Sequence, residues 1–220
     1  MLIVSTSQGD VVIDPPGNNV GIKLSGGADS SIVAYLLGLY KKNVRDINIV
    51  PVTAINSIKP WQDIFAKRVV DFIEKDLDIE FGNHIIPERK ADPSIYERFQ
   101  KNMMNRLYDS NTIDCHFNGV TMNPPRSAGL DPRGTFSYPV ERDAGGVPKQ
   151  TVNKKGNMFA PLANIDKRGV AEIYFTYDLM DTLFPLTRSC ENRFKPYTDP
   201  HCGTGCWWCL ERKWGFGRLE

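Results

Sequence analysis

Two groups of residues in this chain have the types and spacing to do chemistry. The first is Lys23-Leu24-Ser25-Gly26-Gly27-Ala28-Asp29-Ser30-Ser31, where a short β-branched run stops at two glycines and a helical pattern begins. Backbone N–H groups at a helix N-terminus have no intrahelical partner, and the helix dipole favours an anion there. The glycines leave that backbone bare, and the hydroxyls of Ser25, Ser30 and Ser31 add donors. Asp29 suits a phosphate site only if a cation intervenes, and a carboxylate beside a polyphosphate is a natural magnesium ligand. Two other nucleotide loops are excluded by pattern. There is no G-x-x-x-x-G-K-[ST], and no G-x-G-x-x-G follows the strand. A plain glycine turn before a helix would account for the glycines but not for the whole Ser-Gly-Gly-x-Asp-Ser order.

The second group is Cys190, Cys202, Cys206 and Cys209, spaced C-x11-C-x3-C-x2-C. Four thiolates on short-spaced elements make a closed tetrahedral site, the structural zinc arrangement. An iron–sulfur cluster is also held by four cysteines, and His201 is a competing ligand. Gly203, Thr204 and Gly205 suit a metal knuckle better than a core. Cys115 lies apart in a predicted strand and reads as a buried residue.

The elements that must position these groups follow from hydrophobic period. Leu2 to Ile13 reads as a hairpin, and Val20 to Leu24 as a strand running into the glycines. Ile32, Val33, Leu36, Leu37 and Leu39 give a helix over Ala28 to Lys42. The alternation continues with strands at 47–52, 79–86 and 112–122 and helices at 59–77 and 94–109. Such alternation implies a parallel sheet with right-handed crossovers, a doubly wound α/β fold. From 123 to 157 prolines and glycines interrupt every pattern; a loop of this length reads as a substrate lid, with Arg126, Arg133 and Arg142 as closing contacts for an anion. A helix over 166–183 then leads to the cysteine tail. The organisation expected is one domain over 1–189 with a metal-binding tail over 190–220.

Bulk properties narrow the setting. A net charge of +1 over 220 residues gives no electrostatic reason to expect a membrane or nucleic-acid partner. No run reaches the roughly 20 apolar residues of a membrane span, and the N-terminus lacks a signal-peptide pattern. A cytoplasmic location is the expectation, and five cysteines with four in the last 31 residues suit a metal in a reducing compartment. A homo-oligomer stays open.

The Ser25-Gly26-Gly27-Ala28-Asp29-Ser30 segment resembles the signature of the N-type ATP pyrophosphatases, of the adenine nucleotide alpha hydrolase-like fold. The tail, Cys206-x-x-Cys209-x-x-Arg212-x-x-Gly215-Phe216, resembles the ending of one branch, the QueC family of 7-cyano-7-deazaguanine synthases. Ala160-Pro161-Leu162, Asp166-Lys167 and Thr187-Arg188-Ser189-Cys190 match that family's order in between. The resemblance implies ATP and magnesium as cofactors beside zinc. It also implies Leu24 to Ser31 as the pyrophosphate cradle, Ala54 near the adenine, and Lys167 on the phosphates with Asp29 and Ser25. Arg188 is a candidate for a substrate carboxylate, and Lys23 either an edge residue or a second phosphate contact.

The implied reaction joins a small acid, 7-carboxy-7-deazaguanine, with ammonia through amide to nitrile, releasing AMP and pyrophosphate. The alternatives are an enzyme of this type that stops at the amide or takes another substrate, or an idle nucleotide-binding module. The sequence departs from the family at Ala54-Ile55-Asn56-Ser57, at Asn118-Gly119 and in the spacing of its last three cysteines.

Overall fold

The structure, a computed structural model, describes residues 1–88, 90–130, 157–190 and 206–220. Strands β1 (Leu2–Thr6) and β2 (Gly9–Ile13) form the expected antiparallel hairpin. A second sheet holds β3 (Asn19–Lys23), β4 (Asn48–Val52), β5 (Cys115–Phe117) and β6 (Met158–Phe159), all parallel, in the order β4-β3-β5-β6. The α/β fold with a parallel sheet is as the alternation predicts.

Helices α1 (Ala28–Asn43), α2 (Gln62–Leu77) and α4 (Lys167–Thr176) share the main core with Val20, Ile22 and Leu24 of the central strand region. Helix α3 (Tyr96–Asp109) covers the other face through Met104, against Val50, Val52 and Ile113. Helix α1 is buried on nearly all sides, from Ile32 through Leu37, and carries Asp29 in its first turn and Lys41 and Lys42 in its last, which complements its dipole.

Three boundaries differ from the sequence expectation. The 79–86 stretch lies beside β4 but pairs as an isolated bridge, Val52 with Ile85. Pro51 accepts from the Ile85 N–H at 2.8 Å and has no N–H to return, and Gly82 further weakens the stretch as a strand. The strand expected over 112–122 is cut to Cys115–Phe117 because Gly119 must pass over the first turn of α1, where a Cβ would meet Ser30 N at 2.5 Å. The helix expected to reach Leu183 ends at Thr176, with Asp178 in the left-handed region at φ 55°. A 3₁₀ turn over Phe184–Leu186, built on Pro185, follows.

Part of the cysteine tail forms a helix, α5 (Trp207–Phe216), that the knuckle reading did not anticipate. Its Phe216 joins the main core, its ring tilted against that of Phe184 with centroids 4.4 Å apart. Among the described residues no helix is long and apolar enough to cross a membrane.

Candidate active site

The Ser-Gly-Gly-x-Asp-Ser loop is wired internally. Gly26 sits at φ +77°, packed so closely that a Cβ would meet that of Phe65 at 2.6 Å. Only glycine fits there. Gly27 caps α1 in an extended conformation, and its carbonyl accepts from Ser31 Oγ at 2.8 Å and Ser30 Oγ at 3.2 Å. Ser30 Oγ lies 3.1 Å from Ser25 Oγ and accepts from the Ser25 N–H. Ser30 and Ser31 are buried, so they fix the loop's shape, while Ser25 faces solvent. Leu24 and Ala28 are buried as well; they anchor the two ends of the turn, Leu24 N–H donating to Val52 O at 3.0 Å.

Lys167 is brought to this loop from the far end of the chain. It is the first residue of α4, capped by Asp166, whose side chain accepts from the Arg168 N–H. The ammonium of Lys167 pairs with Asp29 Oδ2 and stands 3.9 Å from Glu211 Oε2 on α5. Two neighbours hold it there. Gln8, at the hairpin tip, accepts from the Asp166 N–H and donates to Asp166 Oδ1, each at 2.8 Å. Gly215 lets α5 approach so closely that a Cβ would lie 2.3 Å from Lys167 Cβ. Gln8 belongs to no motif, whereas Gly215 is part of the Gly-Phe ending of the tail.

Asp29 Oδ1 is buried and has no hydrogen-bond partner among the described residues, while Oδ2 is engaged by Lys167. An orphaned carboxylate oxygen costs free energy unless something cationic or a donor meets it. That fits a magnesium ligand. Ser25, Gly27, Asp29, Lys167 and Arg188 line one cavity of about 150 Å³, together with Trp61, Gln62 and Trp208. Arg188 is buried, its N–H donates to Gly26 O at 2.8 Å, and its guanidinium stacks 4.0 Å over the Trp61 ring.

Cys190 lines the same cavity and meets Cys206 and Cys209, with all three sulfurs within 4.8 Å of one another. Cys202 and His201 lie outside the described residues, as do Arg133 and Arg142. Cys190 Sγ and Cys206 Sγ are 3.9 Å apart. Thiolates bound at about 2.3 Å to one tetrahedral ion stand about 3.8 Å from each other. The Cys190–Cys206 separation matches that spacing. In a cubane iron–sulfur cluster each cysteine binds its own iron, which sets the sulfurs wider apart.

Arg212 assembles this corner. It is fully buried and donates to Phe184 O at 3.0 Å, Thr187 Oγ1 at 2.8 Å, Ser189 Oγ at 3.1 Å and Leu219 O at 2.7 Å. Burial brings its guanidinium down to about 10, still charged at neutral pH. It ties α5 to the 184–189 segment that carries Arg188 and Cys190.

The second strand's end is also ordered. Thr53 Oγ1 donates to Leu24 O at 2.6 Å, and the Ala54 carbonyl accepts from Tyr96 at 3.0 Å. Gln62 links Tyr96 to the Asn56 N–H. Ala54 is buried behind this network rather than lining the described cavity. His84 and His116 are held by Thr53 and Tyr108, and burial lowers them to about 4 and about 3, which fits histidines kept neutral. Arg126 stands in a short 3₁₀ turn, Arg126–Ala128, away from the cavity's lining.

No family model matches the chain, and no curated protein matches it. Among solved structures it is similar to the U34-tRNA thiolase NcsA from Methanococcus maripaludis with its 4Fe-4S cluster, at a TM-score of 0.49 and 17% identity over 77% of this chain. The chain spans 60% of that protein's length.

Proposed function

We propose that this chain is an ATP-dependent ligase that adenylates a carboxylate, of the 7-cyano-7-deazaguanine synthase type. The observation that carries the reading is the meeting of Ser25, Gly27, Asp29, Lys167 and Arg188 in one cavity at the N-terminus of α1. The acid's oxygen attacks the α-phosphorus, the bond to the bridging oxygen breaks, and pyrophosphate leaves. Ammonia then displaces AMP to give an amide. A second round of ATP activates the amide oxygen, and loss of AMP leaves the nitrile.

The chain's own part is positioning and charge stabilisation. The N–H groups at the start of α1 cradle the departing diphosphate, with Ser25 Oγ as an added donor. Lys167, balanced between Asp29 and Glu211, places its charge where negative charge develops. Asp29 Oδ1 would hold magnesium, which neutralises the polyphosphate. Arg188, stiffened by Trp61, presents a planar fork suited to a carboxylate. Cys190, Cys206, Cys209 and Cys202 would hold zinc, a structural ion that fixes the tail beside the cavity.

Incubation with 7-carboxy-7-deazaguanine, ATP, magnesium and ammonia should yield AMP and a nitrile by mass spectrometry. AMP formed only with another acid, or product halted at the amide, rejects the synthase assignment and keeps the adenylating class. No AMP with any acid, and equal ATP turnover by Asp29→Ala, rejects both and favours an idle nucleotide-binding module.

A further inference from the structure

Lys167 stands between two carboxylates that differ in what else can reach them. Its ammonium pairs with Asp29 Oδ2 on the cavity side and lies 3.9 Å from Glu211 Oε2 on the other. The Asp29 side chain is 22% exposed and lines the cavity, whereas that of Glu211 is fully buried and does not. Asp29 is therefore the partner that a ligand can take away. Glu211 stays with the fold.

The backbone beneath the ammonium is held firmly. Glu211 and Gly215 are four residues apart on α5 and so share one helix face, which Gly215 sets against the first residue of α4. A Cβ at Gly215 would meet the Lys167 carbonyl carbon and oxygen at 2.8 Å. Arg168 stacks 4.5 Å over the Trp214 ring, and Gln8 clasps Asp166. What these contacts leave adjustable is the Lys167 side chain, a flexible stem ending in a point charge.

Two cations compete for Asp29. Its Oδ2 is engaged by Lys167, and its buried Oδ1, orphaned among the described residues, fits magnesium. A dication on one oxygen and an ammonium on the other repel each other across a single carboxylate. An ammonium only 3% exposed is strongly destabilised if its counter-ion is withdrawn. A second carboxylate within reach removes the conflict. Glu211 stands at an open position of the Cys-x-x-Arg spacing, so the tail motif itself gives it no role.

We propose that Glu211 is a positioning residue that takes over the Lys167 charge when a magnesium nucleotide binds. Asp29 turns to the metal, and the ammonium shifts from Asp29 Oδ2 to Glu211 Oε2 while keeping its place in the cavity wall. Without Glu211, Lys167 stays on Asp29 and competes with magnesium. The proposal rests on Asp29 as the magnesium ligand, which belongs to the reading above, and not on the acid or the amide chemistry.

The test is calorimetric binding of the α,β-methylene analogue of ATP to the full chain over a series of magnesium concentrations. Glu211→Gln should raise the magnesium concentration for half-maximal binding at least about tenfold, because removing one partner of a buried ion pair leaves the other uncompensated. In a Lys167→Met background the same substitution should change it less than about twofold, since no ammonium is left to compete. An unchanged requirement in folded Glu211→Gln, or an equal shift in both backgrounds, makes Glu211 merely structural and overturns the proposal. So does a wild type whose binding of the analogue ignores magnesium. If the variants do not fold, a crystal structure of the wild type with magnesium and the analogue decides. Lys167 Nζ within about 3.2 Å of Glu211 Oε2, with Asp29 on the ion, supports the exchange; Lys167 still on Asp29 Oδ2 overturns it. A chain that shows the expected magnesium pattern but forms no AMP with any acid keeps this role for Glu211 and loses the ligase reading. AMP formation with a magnesium requirement indifferent to Glu211 does the reverse.

Discussion

The Ser-Gly-Gly loop and the cysteine corner share one cavity but are built in opposite ways. The loop is contiguous and closes on itself: Gly27 O collects the hydroxyls of Ser30 and Ser31, and Ser25 leans on Ser30. The cysteine corner joins residue 190 to residues 206–209, and the buried Arg212 reaches from one to the other. Its thiols crowd one another. Hydrogen bonding to Cys190 and then Cys206, with burial, holds the Cys209 thiol far above its ordinary range. A self-wired loop keeps its shape without its ligand, whereas clustered sulfurs ask for a cation to hold them.

That contrast can be broken at its strongest point first. Asp29→Asn should lower ATP turnover by about a hundred- to a thousandfold, the scale of losing a main electrostatic element, with an unchanged circular-dichroism spectrum. Normal turnover would separate the loop from the chemistry. Next in size, Arg212→Met leaves Leu219 O without the Arg212 donor and takes one donor each from Thr187 Oγ1, Ser189 Oγ and Phe184 O, the last of which keeps the Thr187 N–H and hydroxyl, and should cost about 3 kcal/mol in denaturant unfolding. The loss should be accompanied by metal release.

Removing the ion sharpens the comparison further. Metal analysis should return about one zinc per chain, and chelation or Cys209→Ser should lower the melting temperature while calorimetric binding of ATP survives. Loss of ATP binding on chelation would show that the loop leans on the corner after all. A brown protein with visible absorbance would mean an iron–sulfur cluster.

The smallest effect is on pH. His84 and His116 are kept neutral in the fold, so unfolding takes up protons below about pH 6.5. Their contribution is full above that pH and is lost as pH falls toward about 4 for His84 and about 3 for His116. His84→Gln should flatten the acid limb of a stability-against-pH curve.

How much of this could be read without coordinates varies by residue. The loop was legible because its chemistry is local: glycines, hydroxyls and a helix start within nine residues. The meeting of Cys206 and Cys209 was legible from their C-x-x-C spacing, and that of Cys190 with them from the cysteine count in the tail. Gln8 was invisible, since a glutamine in a hairpin turn carries no signal until the hairpin docks on the start of α4. The missing third strand turned on Pro51 lying on the side of β4 where the ladder needed a donor.

By itself the sequence determined the alternating α/β order, the glycine turn and the cysteine set, because each depends on neighbours a few residues away. Only the tertiary structure decided that Lys167 would stand against Asp29, that Arg212 would bind the tail to the 184–189 turn, and that Gly21 would pack against His116. Those pairings join segments far apart in the chain, and they form through close approach at Gly215 and Gly21 and through register between strands, which no local pattern records.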